Sequence, residues 1–294
     1  MMARRLSSTI IIPNWQGKTL LKKSLPEVLK VGADEIIVVD DASVDGSVQF
    51  LKEEFPQVQV LENQKNKGFP FTVNKGVSAT SADIVLIFNP DVVPHSDILK
   101  HILKHFREKS VFGVSLNERR FSWSRPKLEH GFLGHQPGQK TNLPHDTFWV
   151  SGGSGAFRRS MWNELGGMDT LFSPFYWEDV DLSYRALKRG WRLVWEPRAV
   201  VDHKHESVIN PEHFSNRYLN TIKERNQLLF HWKNLNWRWL LTSHFLGIVG
   251  RLRHPGYVTV ILSAIVQLPF VLKRRYQERG CAILSDRSIL EKFV

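Results

Sequence analysis

The sequence of 294 residues predicts an α/β fold, with a mostly parallel, Rossmann-like sheet flanked by helices. Four short aliphatic runs before residue 90 have the length and composition of buried strands. Helical stretches separate these runs, and strands that alternate with helices at this spacing form parallel sheets. Polar residues follow three of the four runs, and ligands of parallel sheets bind at the carboxyl ends of the strands. The sequence therefore predicts the fold and the edge of the sheet that carries a site.

The predicted strands and helices alternate from residue 9 to residue 108. The strands are Thr9–Pro13, Glu35–Val39, Val58–Leu61 and Ile84–Phe88. The helices are Lys18–Lys30, Gly46–Phe55, Phe71–Ala79 and Ser96–Glu108. The strand runs are short and rich in aliphatic residues, whereas the helical stretches are longer and mix polar with apolar positions. With 42% hydrophobic residues overall, the composition is that of a globular protein.

Residues suited either to turns or to ligand binding come directly after the first, second and fourth strands. They are Pro13 and Asn14, Asp40 and Asp41, and Asn89 with Asp91. Each set alone is better explained by turn and helix-cap chemistry, which favours Asp, Asn and Pro. Because parallel strands bring their carboxyl ends to one edge of a sheet, the three sets together favour a ligand site there.

The alternation of strands and helices lapses at about residues 119–148. This stretch is rich in Pro, Gly and His, and it predicts a long loop or lid, because loops of this length are commonly functional or mobile. Its three histidines and one earlier histidine lack the spacing of metal ligands. We therefore expect all four on the surface: His95, His130, His135 and His145.

The carboxyl-terminal region is basic and apolar. From Arg217 to Val294 there are 13 Lys and Arg against 4 Asp and Glu, a difference of +9. Two apolar stretches, Trp239–Gly250 and Tyr257–Leu272, are shorter than the roughly 18–20 residues that span a bilayer. The region predicts a basic, amphipathic helical segment on an anionic membrane surface, and the alternative is a helical pair packed on the preceding domain. Nucleic acid is disfavoured as a partner, because the apolar runs are too continuous.

The stretch SPFYWEDVDLSYRALKRGW places Glu178, Asp179 and Asp181 beside the aromatic residues Phe175–Trp177. Acids against aromatic rings are costly unless they are paired, bound to a metal or used in chemistry. Such surroundings raise the pKa of an Asp toward the range in which its carboxylate accepts a proton from a hydroxyl, which favours Asp179 as a general base. The alternative is an acidic first turn of a helix at Val180–Arg189.

Six motifs in order between Ser8 and Ser207 resemble the inverting glycosyltransferases of family 2, which have the GT-A fold, and in particular the rhamnosyltransferase-like members. The motifs are IIIPNWQG, EIIVVDDASVDGSV, NKGFPFTVNKG, VLIFNPDV, SGGSGAFRRSMWNELGGMD and PFYWEDVDLSYRALKRGW. The resemblance implies transfer of a sugar from a nucleotide-diphospho-sugar, dTDP-rhamnose-like or a UDP- or GDP-sugar. The implied acceptor is a hydroxyl of a polysaccharide or lipid-linked glycan.

The resemblance also implies a nucleotide-sugar site. Gly152 and Gly153 let backbone amides approach a phosphate or sugar closely, with a plain turn as the alternative. Trp177 is either part of the core or a platform for a sugar ring. The implied nucleotide-sugar-binding residues are Pro13, Asn14, Asp40, Asp41, Asn66, Gly68, Asn74, Asn89, Asp91, Gly152, Gly153 and Trp177.

Metal and catalytic residues follow from the same resemblance. Asp91 matches the last acid of a metal-binding DxD motif, whose first acid is replaced by Asn89. His203 or His205 matches a histidine that reaches the metal or the diphosphate, and His203 is preferred. The resemblance thus implies Mg²⁺ or Mn²⁺, with Asp91, His203 and His205 as its ligands. The implied catalytic residues are Asp179, the general base, and its neighbour Glu178.

The predicted division is a GT-A catalytic domain at residues 1–226, with a nucleotide-binding half at about 1–115 and an acceptor-binding half at about 116–226. The membrane-associating segment follows at 227–294. The lone Cys281 excludes an internal disulfide, and the start of the sequence lacks the pattern of a signal peptide. We therefore expect a cytoplasmic protein, peripheral on the inner face of the cytoplasmic membrane.

Two other functions compete with sugar transfer as interpretations of this sequence. A nicotinamide-dependent oxidoreductase requires a G-x-G-x-x-G run after the first strand, and the sequence there is Pro13-Asn14-Trp15-Gln16-Gly17. A catalytically silent GT-A-like membrane scaffold is compatible with the missing first acid of the DxD motif. The scaffold therefore stays as the alternative to the enzyme.

Overall fold

The computed structural model describes residues 4–119, 122–203 and 213–293. Its strands are β1 Ser8–Asn14, β2 Glu35–Asp40, β3 Gln59–Glu62, β4 Ile84–Phe88, β5 Val92–Pro94, β6 Val111–Asn117, β7 Ser124–Glu129, β8 Phe132–Pro137, β9 His145–Asp146, β10 Ser154–Arg158 and β11 Arg192–His203. Its α-helices are α1 Lys18–Lys30, α2 Ser47–Glu54, α3 Phe69–Ala79, α4 Ile98–Leu103, α5 Arg159–Leu165, α6 Glu178–Lys188, α7 Asn216–Asn234, α8 Arg238–Arg251, α9 Pro255–Ile265, α10 Leu268–Glu278 and α11 Asp286–Glu291. The predicted α/β class is confirmed.

The main sheet is parallel in its first half and mixed in its second. Its strand order is β3-β2-β1-β4-β10-β6-β11-β5, and β9 pairs with β11. Strands β3, β2, β1 and β4 are parallel as predicted, β10 runs antiparallel between β4 and β6, and β11 is parallel to β6. In the β1–β2 register, Asn14 lies opposite Asp40. The carboxyl ends of β1, β2 and β4 therefore meet at one edge.

The sheet is buried on both faces because helices cover each side. Ile10 and Ile12 of β1 belong to one hydrophobic core and Ile11 to the other, as expected when successive side chains of a strand point to opposite faces. Helices α1, α2 and α4 pack on the first core, and α3, α6 and α7 pack on the second. The aliphatic runs of the sequence are therefore continuous rather than alternating.

Strands β7 and β8 form an antiparallel hairpin, so the prediction of a long loop or lid over residues 119–148 is wrong. Phe132 and Leu133 are buried, and the backbone N–H of Leu133 donates to Nε2 of His231, 2.7 Å away. Helix α7 thus anchors the hairpin through a contact between residues far apart in sequence, which no local pattern displays. The prediction that four histidines lie on the surface is confirmed for His95, His130, His135 and His145.

The predicted boundary between residues 226 and 227 falls inside α7, which is continuous from Asn216 to Asn234. Leu228, Leu229 and Phe230 are fully buried in the core that also holds α6. The first turns of the predicted carboxyl-terminal segment are therefore part of the α/β domain, and the structural transition comes after α7. Sequence composition changes before this point because α7 is itself rich in apolar residues.

Helices α8, α9 and α10 each pack one side against the domain and leave an apolar side exposed. Among the described helices, none alone is long and apolar enough to cross a bilayer. Helices α9 and α10 together reach that length and composition, but they bend by 57° at their junction. The buried contacts agree with the alternative, in which these helices pack on the domain, and the exposed faces are large apolar surfaces. These exposed side chains include Trp239, Phe245, Leu246, Leu262, Val266, Phe270 and Leu272.

Candidate active site

The ends of β1 and β2 are joined by hydrogen bonds at the predicted edge. Nδ2 of Asn14 donates to Asp40 at 2.7 Å, and the other oxygen of Asp40 accepts from the backbone N–H of Ser43 at 2.8 Å. In the described chain, Oδ1 of Asn14 is buried and accepts no hydrogen bond. A buried acceptor without a donor is costly, so a ligand N–H or O–H that reaches it would be favoured. Pro13 is buried within β1, opposite Val39.

Asp41 orders the loop that leads into α3. Its carboxylate accepts from Nδ2 of Asn63 at 2.7 Å and from the backbone N–H groups of Lys67 and Gly68 at 2.9 and 2.8 Å. Gly68 has φ of +87°, and a Cβ there would lie 2.8 Å from the backbone of Pro174. The loop therefore packs directly against the segment that precedes Asp179. Within it, Asn66 is exposed, and its side chain accepts from the N–H of Gly68.

Asn74 connects α3 to the segment after α5. Its Nδ2 donates to the carbonyl of Met168 at 2.7 Å, and its Oδ1 accepts from the N–H of Met168 at 3.0 Å. Both ends of the amide are thus used inside the protein. The structure places Asn74 as a support for this segment, while Asn66 and Asn14 present groups at the edge of the sheet.

Gly152 and Gly153 bring the end of β4 to the start of α6. The N–H of Gly152 donates to Asp179 at 3.0 Å, and the carbonyl of Gly153 accepts from the N–H of Asn89 at 2.8 Å. A Cβ on Gly153 would lie 2.4 Å from Nδ2 of Asn89, and one on Gly152 would lie 3.1 Å from Cβ of Asp179. These glycines therefore join the two parts of the site, and the approach of their amides to a phosphate or sugar stays a prediction.

Asp91, His203 and Glu118 form a nearly buried polar cluster beside Asn89. Oδ1 of Asp91 lies 3.4 Å from Nε2 of His203, and Nδ1 of His203 donates to Glu118 at 2.9 Å. Burial lowers the pKa of His203, but its hydrogen bonds to Asp91 and Glu118 outweigh burial and raise that pKa to about 9. Nδ2 of Asn89 lies 3.4 Å from Nε2 of His203. The preferred histidine therefore lies at the DxD-like motif.

Asp91 and His203 fit a divalent cation as a partial ligand set. A carboxylate oxygen is a suitable donor, and so is Nε2 of His203 once a cation has displaced its proton. Glu118 holds the second ring nitrogen as the outer carboxylate of many metal-bound histidines does. Across the described ranges, no group of three His, Cys, Asp or Glu side chains is arranged to hold a metal. The remaining positions would fall to phosphate oxygens and water, as is usual for Mg²⁺. His205, the other predicted ligand, lies outside the described residues.

Asp179 and Glu178 begin α6, and their carboxyl groups differ in their partners. Asp179 accepts from the backbone N–H groups of Gly152 and Val180 at 3.0 and 2.8 Å, and burial still raises its pKa above the usual value. Glu178 is buried, and in the described chain its Oε2 has no hydrogen-bond partner. Burial and the neighbouring Asp179 charge raise the pKa of Glu178 well above 4.5. Backbone hydrogen bonds therefore fix both oxygens of the Asp179 carboxyl group, whereas one oxygen of Glu178 has no such partner.

Glu178→Gln is expected to stabilise the protein at pH 8. The folded Glu178 carboxyl holds its proton more tightly than the unfolded one, so wild-type stability falls as pH rises above about 4.5 and through the raised folded pKa. The amide removes this ionisation and keeps the shape of the side chain. Thermal unfolding between pH 5 and 8 tests this, and a lower Tm of the variant at pH 8 would contradict it.

Asp181, the third acid of the motif, lies outside the site and holds helices together. It is fully buried and accepts from Nε of Arg185 at 2.7 Å, Nζ of Lys233 at 2.8 Å and Nδ2 of Asn234 at 2.8 Å. Lys233 also pairs with Asp169 at 2.8 Å. This buried network fixes α6, which carries Asp179, to the end of α7. Of the three acids beside the aromatic residues, one is therefore structural.

Asn226 positions the segment before Asp179, and sequence reasoning missed it. Its buried Nδ2 lies within hydrogen-bonding distance of the carbonyls of Phe172, Phe175 and Tyr176, at 2.7, 3.0 and 2.9 Å. A single side chain from α7 thus holds the backbone between Phe172 and Tyr176. The sequence offers one clue to this role. Asn226 lies just before the apolar run LLF at residues 228–230, and a polar residue beside a buried run is expected to have a hydrogen-bond partner.

Tyr176 and Trp177 adopt left-handed backbone conformations directly before α6, with φ of +74° and +78°. Such conformations cost about 1–3 kcal/mol each in non-glycine residues and persist where the surroundings enforce them, often at functional sites. The ring of Trp177 packs against Phe230, with centroids 5.2 Å apart, and is half-buried. Trp177 therefore packs at the edge of the hydrophobic core, and its half-exposed ring leaves the role of a sugar platform open as a prediction.

The family model described as "Glycosyl transferase family 2" matches residues 9–166, more than half of the chain. The matched region runs from β1 to the end of α5 and includes the edge that holds Asn14, Asp40 and Asp91. Helix α6 with Asp179 follows the matched region. The predicted family resemblance is confirmed.

Similarity to curated proteins extends beyond this region. The chain is 30% identical over 212 residues to a "Pre-mycofactocin glycosyltransferase" of Mycobacterium tuberculosis, a match that covers 68% of this chain and 43% of that protein. It is 27% identical over 208 residues to an "N-acetylglucosaminyl-diphospho-decaprenol L-rhamnosyltransferase" of the same organism, covering 59% and 67% of the two chains. It is 23% identical over 233 residues to an "O-antigen chain rhamnosyltransferase" of Salmonella typhimurium, covering 72% and 70%.

Solved structures share the fold at low sequence identity. GalNAc-T7 with UDP, GalNAc and Mn²⁺ has a TM-score of 0.67 at 14% identity, covering 82% of this chain and 50% of the other. A mannosyltransferase from Pyrobaculum calidifontis with GDP-Man and Mn²⁺ has a TM-score of 0.58 at 17% identity, covering 95% and 86%. These likenesses confirm the predicted GT-A fold. The chain therefore belongs to glycosyl transferase family 2.

Proposed function

We propose that the chain is an inverting glycosyltransferase that moves a sugar from a nucleotide-diphospho-sugar to a hydroxyl of a polysaccharide or lipid-linked glycan. One observation carries this proposal: Gly152 and Gly153 join the half-buried Asp179 carboxylate to the Asn89–Asp91 turn. A proton acceptor and a place for the leaving diphosphate thus stand beside each other, as displacement at a sugar carbon requires.

In the proposed reaction, Asp179 accepts the proton of the acceptor hydroxyl. The hydroxyl oxygen forms a bond to the anomeric carbon from the face opposite the diphosphate, and the bond from that carbon to the diphosphate oxygen breaks. The configuration at the anomeric carbon inverts, and the nucleoside diphosphate leaves with the electron pair. The raised pKa of Asp179 suits this role, because a base with a higher pKa accepts a proton more readily.

The edge of the sheet is proposed to hold the nucleotide. Asn14 presents a buried acceptor there, Asn66 is exposed on the adjoining loop, and Asp40 and Asp41 fix these elements through their own hydrogen bonds. Mg²⁺ or Mn²⁺ held by Asp91 and His203 would neutralise charge on the departing diphosphate. Two relatives named as rhamnosyltransferases favour a dTDP-rhamnose-like donor, and nucleotides in the solved neighbours keep UDP- and GDP-sugars as candidates.

We also propose that helices α8–α10 rest on the inner face of the cytoplasmic membrane. Their exposed apolar side chains, including Phe245, Leu246 and Leu262, would lie at the level of the headgroups, and the Lys and Arg excess from Arg217 onward matches an anionic surface. The name of one relative contains a diphospho-decaprenol, a lipid-linked acceptor. An acceptor held in a membrane requires a transferase that stays at its surface.

The inverting reaction is tested by the configuration of the product. Purified protein is incubated with each donor and with a membrane extract as acceptor, and the anomeric configuration of the new bond is assigned by NMR. The expected product has the configuration opposite to that of the donor. Retention of configuration would overturn the single displacement, and a catalytically silent scaffold would give no product with any donor.

A further inference from the structure

A basic cleft separate from the candidate active site lies where the ends of α6 and α7 meet α10. Its volume is about 390 Å³, and none of the residues placed in the active site lines it. Of its eleven lining residues, five are Lys or Arg and one is an acid, Glu278. The five cations are Arg185, Lys188, Lys233, Arg275 and Arg279.

The deep cations of the cleft are neutralised by buried carboxylates. Arg185 and Lys233 both pair with Asp181, at 2.7 and 2.8 Å, and Lys188 pairs with Asp286 at 2.9 Å. These side chains are almost fully buried, so they form a rigid floor. Their charges are already compensated, and the ligand preference of the cleft is set by the groups nearer its mouth.

The cations at the mouth are not compensated. Glu278, the acid that lines the cleft, is paired with Arg189 at 2.9 Å. Arg275 and Arg279 form no ion pair with any carboxylate in the part of the chain that the structure describes. The cleft therefore presents two arginines in excess, and guanidinium groups are well suited to phosphate oxygens.

Arg275 is held in place without losing its charge. Its Nη1 lies 2.9 and 2.8 Å from the carbonyls of Trp232 and Leu235 at the end of α7, and its Nη2 contacts the side chain of Asn236. A guanidinium fixed by carbonyls is an ordered anchor, and it retains N–H groups for an anion. Arg279 is exposed directly after α10.

The mouth of the cleft is also apolar. Leu272 and Tyr276 line it and are 56% and 74% exposed. Val266, which directly follows α9, and Phe270 of α10 are 72% and 60% exposed. A free phosphate has no apolar part that could contact these side chains. An amphiphile with an anionic head and hydrocarbon tails matches both the arginines and the apolar side chains.

We infer that this cleft binds the phosphate of an anionic phospholipid, with its acyl chains along the exposed faces of α9 and α10. The inference rests on the proposed position of these helices at a membrane and adds a headgroup site to it. Arg275 and Arg279 bind the phosphate, while Leu272 and Tyr276 lie against the first carbons of the chains. The site would orient the domain on the bilayer as well as attach it.

The test compares co-sedimentation with vesicles of phosphatidylcholine and with 4:1 vesicles of phosphatidylcholine and phosphatidylglycerol. Wild type is expected to prefer the anionic vesicles, and Arg279→Gln to lose about fivefold or more of this preference. Arg107→Gln, which removes an exposed arginine from the amino-terminal half, is the matched control and is expected to leave the preference unchanged. Equal preference in wild type and Arg279→Gln, or none in wild type, overturns the inference.

Soluble ligands separate a lipid site from a phosphate site. Dihexanoyl-phosphatidylglycerol below its micelle concentration is expected to raise the Tm of wild type but not of Arg279→Gln. Inorganic phosphate and glycerol 1-phosphate at the same concentration are expected to have little effect. An equal effect of inorganic phosphate would replace the lipid with a soluble phosphate. If light scattering shows that a second copy covers the apolar face and blocks vesicle binding, the inference is overturned.

These assays contain neither donor nor acceptor sugar, so their outcome is independent of glycosyl transfer. A protein that binds anionic lipid through Arg279 but transfers no sugar would retain the headgroup site and lose the proposed reaction. A protein that transfers sugar but shows no preference for anionic lipid would retain the proposed reaction and lose the headgroup site.

Discussion

Asp179→Asn is expected to lower the rate of sugar transfer by about 10²–10⁴-fold, the usual contribution of a general base. The amide cannot accept the acceptor proton, yet it keeps the size of the side chain and one oxygen for a backbone N–H. Because both oxygens of Asp179 accept such bonds, from Gly152 and Val180, the variant leaves one N–H without an acceptor. We therefore expect a modest loss of stability beside the large loss of rate. Transfer of a radiolabelled sugar measures the rate, and thermal unfolding measures the stability.

Donor binding separates a lost base from a damaged fold. Asp179→Asn should retain the affinity of wild type for the nucleotide-sugar within a few fold, because we propose that the nucleotide binds at Asn14 and Asn66 instead. Glu164→Gln, an exposed acid on α5, should change neither rate nor binding. A scaffold without activity predicts no effect of Asp179→Asn on any measured function. Full transfer activity in the variant would remove Asp179 from the mechanism.

Asp181→Asn is expected to destabilise the protein by about 3–5 kcal/mol, which is typical when one partner of a buried ion pair is removed. The change leaves Arg185 without its carboxylate, and Lys233 keeps only Asp169. For a protein of this size the Tm would fall by about 10 °C. Differential scanning calorimetry measures the loss of stability as a fall in Tm.

The chain supplies a matched control for this prediction. Arg287 and Glu291 form an ion pair with the same spacing of four residues on a helix, but both side chains are more than 60% exposed. Glu291→Gln is therefore expected to change stability by less than about 1 kcal/mol. Equal losses of stability in Asp181→Asn and Glu291→Gln would contradict a stabilising role of burial in the Asp181 network.

The strands and helices of the first half of the fold were predictable, because short stretches of neighbouring residues determine them. Runs such as Ile84–Phe88 are buried on both faces and need no distant information to be recognised as strands. The hydrogen bond between Asn14 and Asp40 also follows from the parallel pairing of two such strands. Strand order then brings Asn89 and Asp91 to the same edge.

Features that depend on distant contacts were not predictable. The β7–β8 hairpin is stabilised by a bond from Leu133 to His231, and the aromatic segment before α6 is held by Asn226. Asp181 looked like Asp179 in sequence, and only the approach of Lys233 distinguishes a structural acid from a candidate base. In each case the deciding partner comes from α7, which sequence composition had divided between two segments.

The most direct test of the central claim is a thermal-shift panel of UDP-, dTDP- and GDP-sugars on purified protein, each with Mn²⁺, with Mg²⁺ and with EDTA. A nucleotide-sugar site predicts that one donor class raises the Tm by about 5 °C or more at a hundredfold excess over its Kd. The stabilisation should be smaller in EDTA if Asp91 and His203 act through a metal. Failure of every donor under every metal condition, with folded protein, would contradict the transferase and favour the silent scaffold.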